Sequence, residues 1–110
     1  MIINFPEMEE VIVHNMRGGE KSAKAKRFGD DLVRLAVNTL EPGASVGYHQ
    51  HTDDCEIFFI LEGNGKVIVE NGEEEKVSAG MCHYCPKGSF HSLVNDSDKE
   101  LVVFAVVPKQ

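Results

Sequence analysis

Apolar residues recur along the chain in short runs separated by turn formers, and that rhythm predicts strands. The runs are "DLVRLAVNTL" (31–40), "EIFFIL" (56–61), "KVIVE" (66–70), "EKVS" (75–78) and "LVVFAVV" (101–107). Most are β-branched or aromatic and too short for helices, and their spacing is that of an all-β sandwich or barrel. Turn chemistry agrees: Glu41-Pro42-Gly43 and Gly63-Asn64-Gly65 punctuate the runs, and Asn71-Gly72 carries the strongest short hairpin signal. The run Leu101 to Val107 has no polar residue on either face, which predicts burial on both sides between two packed sheets.

The first thirty residues read differently. "EEVIVHNM" (9–16) is a further candidate strand, followed by Arg17-Gly18-Gly19. "GGEKSAKAKRF" (18–28) alone has helical potential, but its glycines and short length make it a loop, and the four basic residues between Lys21 and Arg27 read as a solvated charge run. The chain therefore divides into an N-terminal arm and strand, 1–30, and a β-barrel domain, 31–110. An arm of this kind suits completion of a partner subunit's sheet.

Composition narrows the function classes. A net charge of −7 and a pI near 5.1 exclude the basic footprint that nucleic-acid binding requires. No apolar stretch reaches the roughly 18–20 residues of a membrane helix, and "MIINFPEMEE" lacks the features of a signal peptide. No membrane partner and a cytoplasmic location are the expectations. Three cysteines, an odd number, read as reduced thiols.

The chemistry concentrates in "GYHQHTDDCE" (47–56). Strand side chains alternate faces, so His49 and His51 point the same way and Gln50 the other. Glu56 opens the next strand, where its carboxylate can close on the same point. Of the other histidines, His14, His83 and His91, the last follows a Pro-Lys-Gly turn that delivers it to a strand start. Three imidazole nitrogens and a carboxylate suit a divalent transition metal: Mn, Fe, Co, Ni or Zn. Such a set commonly leaves positions open for water or a ligand. By the same alternation Phe58 and Ile60 share the face of Glu56, while Ile57, Phe59 and Leu61 face a second sheet or a dimer contact. Tyr48 points away from the histidines, and so does Cys55. In "CHYCPKG" (82–88), Cys82 and Cys85 fall on opposite faces and chelate poorly as a pair, while one of Cys82, His83 and Cys85 can line the pocket.

These residues resemble the cupins. Gly43, His49, His51, Glu56 and Gly63 fill the first cupin motif at its spacings, and Gly80, Pro86, Gly88, His91 and Asn95 fill the second; together the motifs span 37 of the 110 residues. Met81 stands where many cupins carry an acidic residue. The resemblance implies a double-stranded β-helix, a jelly-roll-like barrel of six to eight strands, with a metal bound by His49, His51, Glu56 and His91, and a homodimer. It further implies a small-molecule ligand or substrate. A metal-dependent enzyme of dioxygenase, lyase or sugar or sugar-phosphate isomerase type is one expectation, and a non-catalytic sugar- or carboxylate-binding or sensory cupin is the other. Gly43 and Gly63 are expected where positive φ or close backbone approach excludes a side chain. Pro86 and Gly88 set the bend that aims His91 inward. Asn95 either orients a ligand or braces the neighbouring strand.

Overall fold

Ten strands separated by the glycine, proline and asparagine turns make up the computed structural model, which describes residues 1–110. They are β1 (Val11–His14), β2 (Ser22–Gly29), β3 (Val33–Leu40), β4 (Ser45–Gln50), β5 (Glu56–Glu62), β6 (Asn64–Val69), β7 (Glu74–Ser78), β8 (Cys82–Cys85), β9 (Phe90–Val94) and β10 (Leu101–Pro108). A six-stranded sheet has the order β1-β2-β3-β10-β5-β8 and a four-stranded sheet the order β4-β9-β6-β7. All pairings are antiparallel. The chain is all-β, and its inner faces meet in a core that includes Leu40, Val46, Phe58, Ile60, Val67, Leu93, Leu101 and Val103. No helix is long and apolar enough to cross a membrane.

Local chemistry explains where the chain turns. Asn71 and Gly72 both take positive φ, 75° and 76°, as the tight β6–β7 hairpin requires. Gly63 is the corner where the chain leaves one sheet for the other. Its φ is +91°, and a β-carbon there would lie 2.4 Å from the Glu100 carbonyl oxygen. Asn64 and Gly65, read as turn residues, instead begin β6.

Two further expectations are corrected and one pair of alternatives is narrowed. The segment from Ser22 to Gly29 is a strand rather than a loop, pairing with β1 and β3. Its inward residues Ala23 and Ala25 are buried, but alanine alternating with lysine carries little hydrophobic contrast, so the period of two was hidden. β10 is not buried on both faces: Leu101, Val103, Ala105 and Val107 are buried, while Val102, Phe104 and Val106 are half-buried. Phe5 of the N-terminal segment covers the outer face in part, its ring 5.9 Å from Phe104. Of the two alternatives for Phe59 and Leu61, the second sheet falls away, since both lie exposed on the outer face of the six-stranded sheet. The ten strands exceed the implied six to eight because β1 and β2 extend the sheet beyond the eight from β3 to β10.

Candidate metal centre

Strand alternation and one cross-strand register bring four donors together. β4 carries His49, which lies directly opposite His91 on β9, and His51 follows just beyond the strand. Glu56 opens β5 in the facing sheet. The turn between β8 and β9 holds this end of the site: Ser89 accepts from the His51 amide at 3.0 Å and the Gly88 carbonyl accepts from Gln50 Nε2 at 3.0 Å. The ligand atoms of His49, His51, Glu56 and His91 all lie within 4.8 Å of one another.

Hydrogen bonds on the far side of each ring set what faces the centre. His49 Nδ1 donates to the Gly47 carbonyl at 2.7 Å, and His51 Nδ1 donates to Asp54 Oδ1 at 2.6 Å. His91 Nδ1 lies 3.2 Å from His83 Nε2, and His83 Nδ1 lies 3.2 Å from Glu75 Oε1, a chain in which each Nδ1 donates outward. Every Nε2 of the three central histidines is thereby left as a lone pair aimed inward. Those nitrogens meet at 3.1 Å (His49–His51 and His51–His91), and Glu56 Oε1 lies 3.0 Å from both His51 and His91 and 3.8 Å from His49.

Electron-rich atoms at these separations repel unless a cation or a proton sits among them. The spacing also fits an ion: with bonds of about 2.1 Å, adjacent ligands of an octahedral ion are about 3.0 Å apart, and those of a tetrahedral ion about 3.4 Å. Burial alone would raise the Glu56 carboxyl, but without a metal the imidazoles of His49, His51 and His91 can carry a proton on Nε2 and donate it to the carboxylate, and these hydrogen bonds outweigh burial and hold the group well below the usual carboxylate range. The hydrogen bond to Glu56 raises His51 against desolvation, with Asp54 adding to the effect. Burial lowers His91 and His83.

The centre lies on the wall of a cavity of about 610 Å³. Phe58 supplies an apolar wall, its ring stacked on His91 with centroids 5.0 Å apart. Tyr48 faces away and stacks on Phe90. Cys55 is buried and is not among the residues lining the cavity. In β8, His83 and Cys85 are buried and Cys82 is exposed, so the two cysteines do face opposite ways; burial pushes the Cys85 thiol up to about 11. Asn95 is a brace. Its Nδ2 donates to the carbonyls of Leu40, Glu41 and Lys99, and its Oδ1 accepts from Ser97.

Sequence reasoning missed three supporting residues. Asp54 reaches His51 from within the loop and also pairs with Arg34 at 3.5 Å. Glu75 reaches His83 from β7. Gly47 gives its carbonyl to His49, and a β-carbon there would meet the Arg17 carbonyl oxygen at 2.0 Å. Only the three-residue step from His51 to Asp54 left a trace in the sequence, because the other contacts depend on register and on how the N-terminal segment docks.

A family model described as a cupin domain matches residues 36–107. An oxalate-binding protein of Thermotoga maritima is 33% identical over 97% of this chain and 93% of its own length. A crystal structure described as a predicted oxalate decarboxylase, also from Thermotoga maritima, superposes with a TM-score of 0.92 at 29% identity and covers the whole of both chains. A glucose-6-phosphate isomerase of Thermococcus litoralis is 28% identical over 69% of this chain but only 46% of its own length.

Proposed function

The chain belongs to the cupin family, and from that premise we propose that it binds a small organic acid through a divalent transition metal held by His49, His51, Glu56 and His91. The observation that carries this reading is the set of three imidazoles with every Nδ1 engaged outward and every Nε2 turned toward Glu56 Oε1. A divalent cation satisfies all four donors at once. Four of their separations are 3.0–3.1 Å and the His49–Glu56 separation is 3.8 Å; the short ones favour an ion that accepts six ligands, so Mn, Fe, Co and Ni suit the site better than Zn. Four protein donors then leave positions for the acid, whose carboxylate oxygens the metal would polarise as a Lewis acid.

Binding is favoured over acid–base turnover by what surrounds the donors. The wall beside the donors is apolar, formed by Val46, Phe58, Leu93, Val103 and Ala105, and His14, the one further imidazole on the lining, lies on the edge strand β1 with its Nδ1 2.7 Å from Ser22 Oγ. The relative described as oxalate-binding supports a carboxylate ligand. A catalytic reading of dioxygenase, lyase or isomerase type draws support from the open metal positions and would rest on the metal itself rather than on a separate general base. Calorimetric titration of oxalate into metal-loaded and metal-free protein tests the proposal: binding is expected only with metal, and equal binding to both forms would refute it.

Self-association is part of the same proposal. Phe59, Leu61, Met81 and Tyr84 are all exposed, and Phe59 and Tyr84 belong to the paired strands β5 and β8. An apolar patch of this kind suits an isologous dimer. Light scattering on the eluting protein should give twice the mass of one chain.

A further inference from the structure

The cavity is far larger than a two-carbon diacid fills, and its charge is unevenly placed. One inner row crosses the six-stranded sheet: Arg27 lies opposite Ala36, Ala36 opposite Ala105, and Ala105 opposite Phe58, whose ring stacks on His91. Three strand steps of about 4.8 Å put β2 roughly 14 Å from β5 along this row. The two alanines form a floor between a cation at one end and the four donors at the other.

Arg17 joins Arg27 on the cavity lining, and its position is built. The turn Met16–Gly18 lies so close to β4 that only glycine fits at 19 and 47: a β-carbon at Gly19 would come within 2.0 Å of the Ser45 carbonyl oxygen. Arg17 itself is held at φ 53° and ψ 31°, a left-handed conformation that a non-glycine residue adopts at a cost. Arg34 is paired with Asp54, whereas Arg17 and Arg27 have no acidic partner in a chain of net charge −7. Two unpaired guanidinium groups at the mouth attract and orient an anion.

Between the two ends lies Asn38, opposite Ala25 and Val103 in the next row. It lines the cavity, and its Oδ1 is buried without a hydrogen-bond partner. Nδ2 has no hydrogen-bond partner either and is not sealed, so the carboxamide of a cavity-lining Asn38 offers a donor to an oxygen on the ligand.

We propose that the cavity takes a hydroxy-substituted dicarboxylate longer than oxalate. One carboxylate lies at the metal centre, the hydroxyl oxygen accepts from Asn38 Nδ2, and the second carboxylate lies on Arg17 and Arg27. The inner anchor rests on the metal reading above; the outer one does not.

The test is a titration of metal-loaded protein with butyrate, succinate, malate, glutarate and 3-hydroxyglutarate, with the metal content of each sample measured separately. The diacids should bind at least about tenfold more tightly than butyrate, and the hydroxy diacids more tightly again. The Arg17→Gln, Arg27→Gln double variant should bring the diacids down to butyrate's affinity with metal content unchanged, and Asn38→Leu should remove only the hydroxyl's increment. Butyrate binding as tightly as succinate to metal-loaded protein, or diacid affinity unaltered in the double variant, would overturn the proposal while leaving the metal reading intact. A wild-type protein that takes up no metal would instead remove the inner anchor and the metal reading together.

Discussion

Asp54 joins two parts of the fold through one carboxylate: Oδ1 accepts from His51 Nδ1 at 2.6 Å, and Oδ2 lies 3.5 Å from the guanidinium of Arg34 on β3. The carboxylate fixes both the tautomer and the orientation of His51 and makes the ring a better donor. Asp54→Asn should therefore weaken metal binding about 10–100-fold without unfolding the protein. Chelator competition, with circular dichroism as the fold control, reads both effects.

His83 plays the corresponding part behind His91, but its own support is weaker. Glu75 is half exposed, so solvent screens its contact with His83. His83→Leu should lower metal affinity about tenfold, while Glu75→Gln should change it much less. The same chelator competition separates the two variants, and equal losses would contradict this ordering.

The dependence on pH follows from opposite shifts. His51 is raised, so its proton stabilises the metal-free fold below the ordinary imidazole value of about 6.5 and that contribution is lost as pH rises through the folded value. Glu56 is lowered, so its contribution is present above the ordinary carboxyl range and lost in strong acid. A bound metal must displace the His51 proton. Apparent affinity should fall with decreasing pH below neutrality, by about tenfold per unit for one displaced proton. Calorimetry in buffers of different ionisation enthalpy counts the protons released.

Gly47→Ala should act on the fold and the centre together. The added methyl collides with the Arg17 carbonyl at 2.0 Å, and the same backbone supplies the carbonyl that holds His49. A loss of about 1–3 kcal/mol in denaturant unfolding should accompany weaker metal binding. Gly72→Ala is the control: nothing lies within 4 Å of its β-carbon position, so its cost is that of positive φ alone and should leave the metal untouched.

Thiol labelling should single out one cysteine. Cys82 is exposed, whereas Cys55 and Cys85 are buried and Cys85 is held protonated near neutrality by its raised value of about 11. Cys82 lies opposite Phe59 within the proposed self-association patch, so one equivalent of labelling, lost in Cys82→Ser, is expected in dilute protein, with slower labelling at concentrations where the protein self-associates.

Most of the fold could be read from the sequence, since β3, β5, β6 and β10 announce themselves by β-branched and aromatic runs between turns and β7 by the Asn71-Gly72 hairpin signal before it. β2 could not, because Ala23 and Ala25 alternate with Lys24 and Lys26 and supply a strand's period without its hydrophobic contrast. Within the candidate centre, alternation predicted that His49 and His51 share a direction and that Phe58 shares the face of Glu56. The partners behind the rings were hidden: that Glu75 meets His83, or that Gly47 meets Arg17, depends on pairing register and on the docking of a distant segment. For Asn95 the residue type named a choice between ligand and brace, and the three carbonyls around its Nδ2 decided for the brace.

The metal content of protein purified without a metal-affinity column, measured by elemental mass spectrometry beside a His49→Ala, His91→Ala variant, tests the central claim most directly. Close to one divalent transition metal per chain in the wild type, absent from the variant, is the predicted result. No uptake by the wild type even after reconstitution, or equal content in the variant, would contradict it.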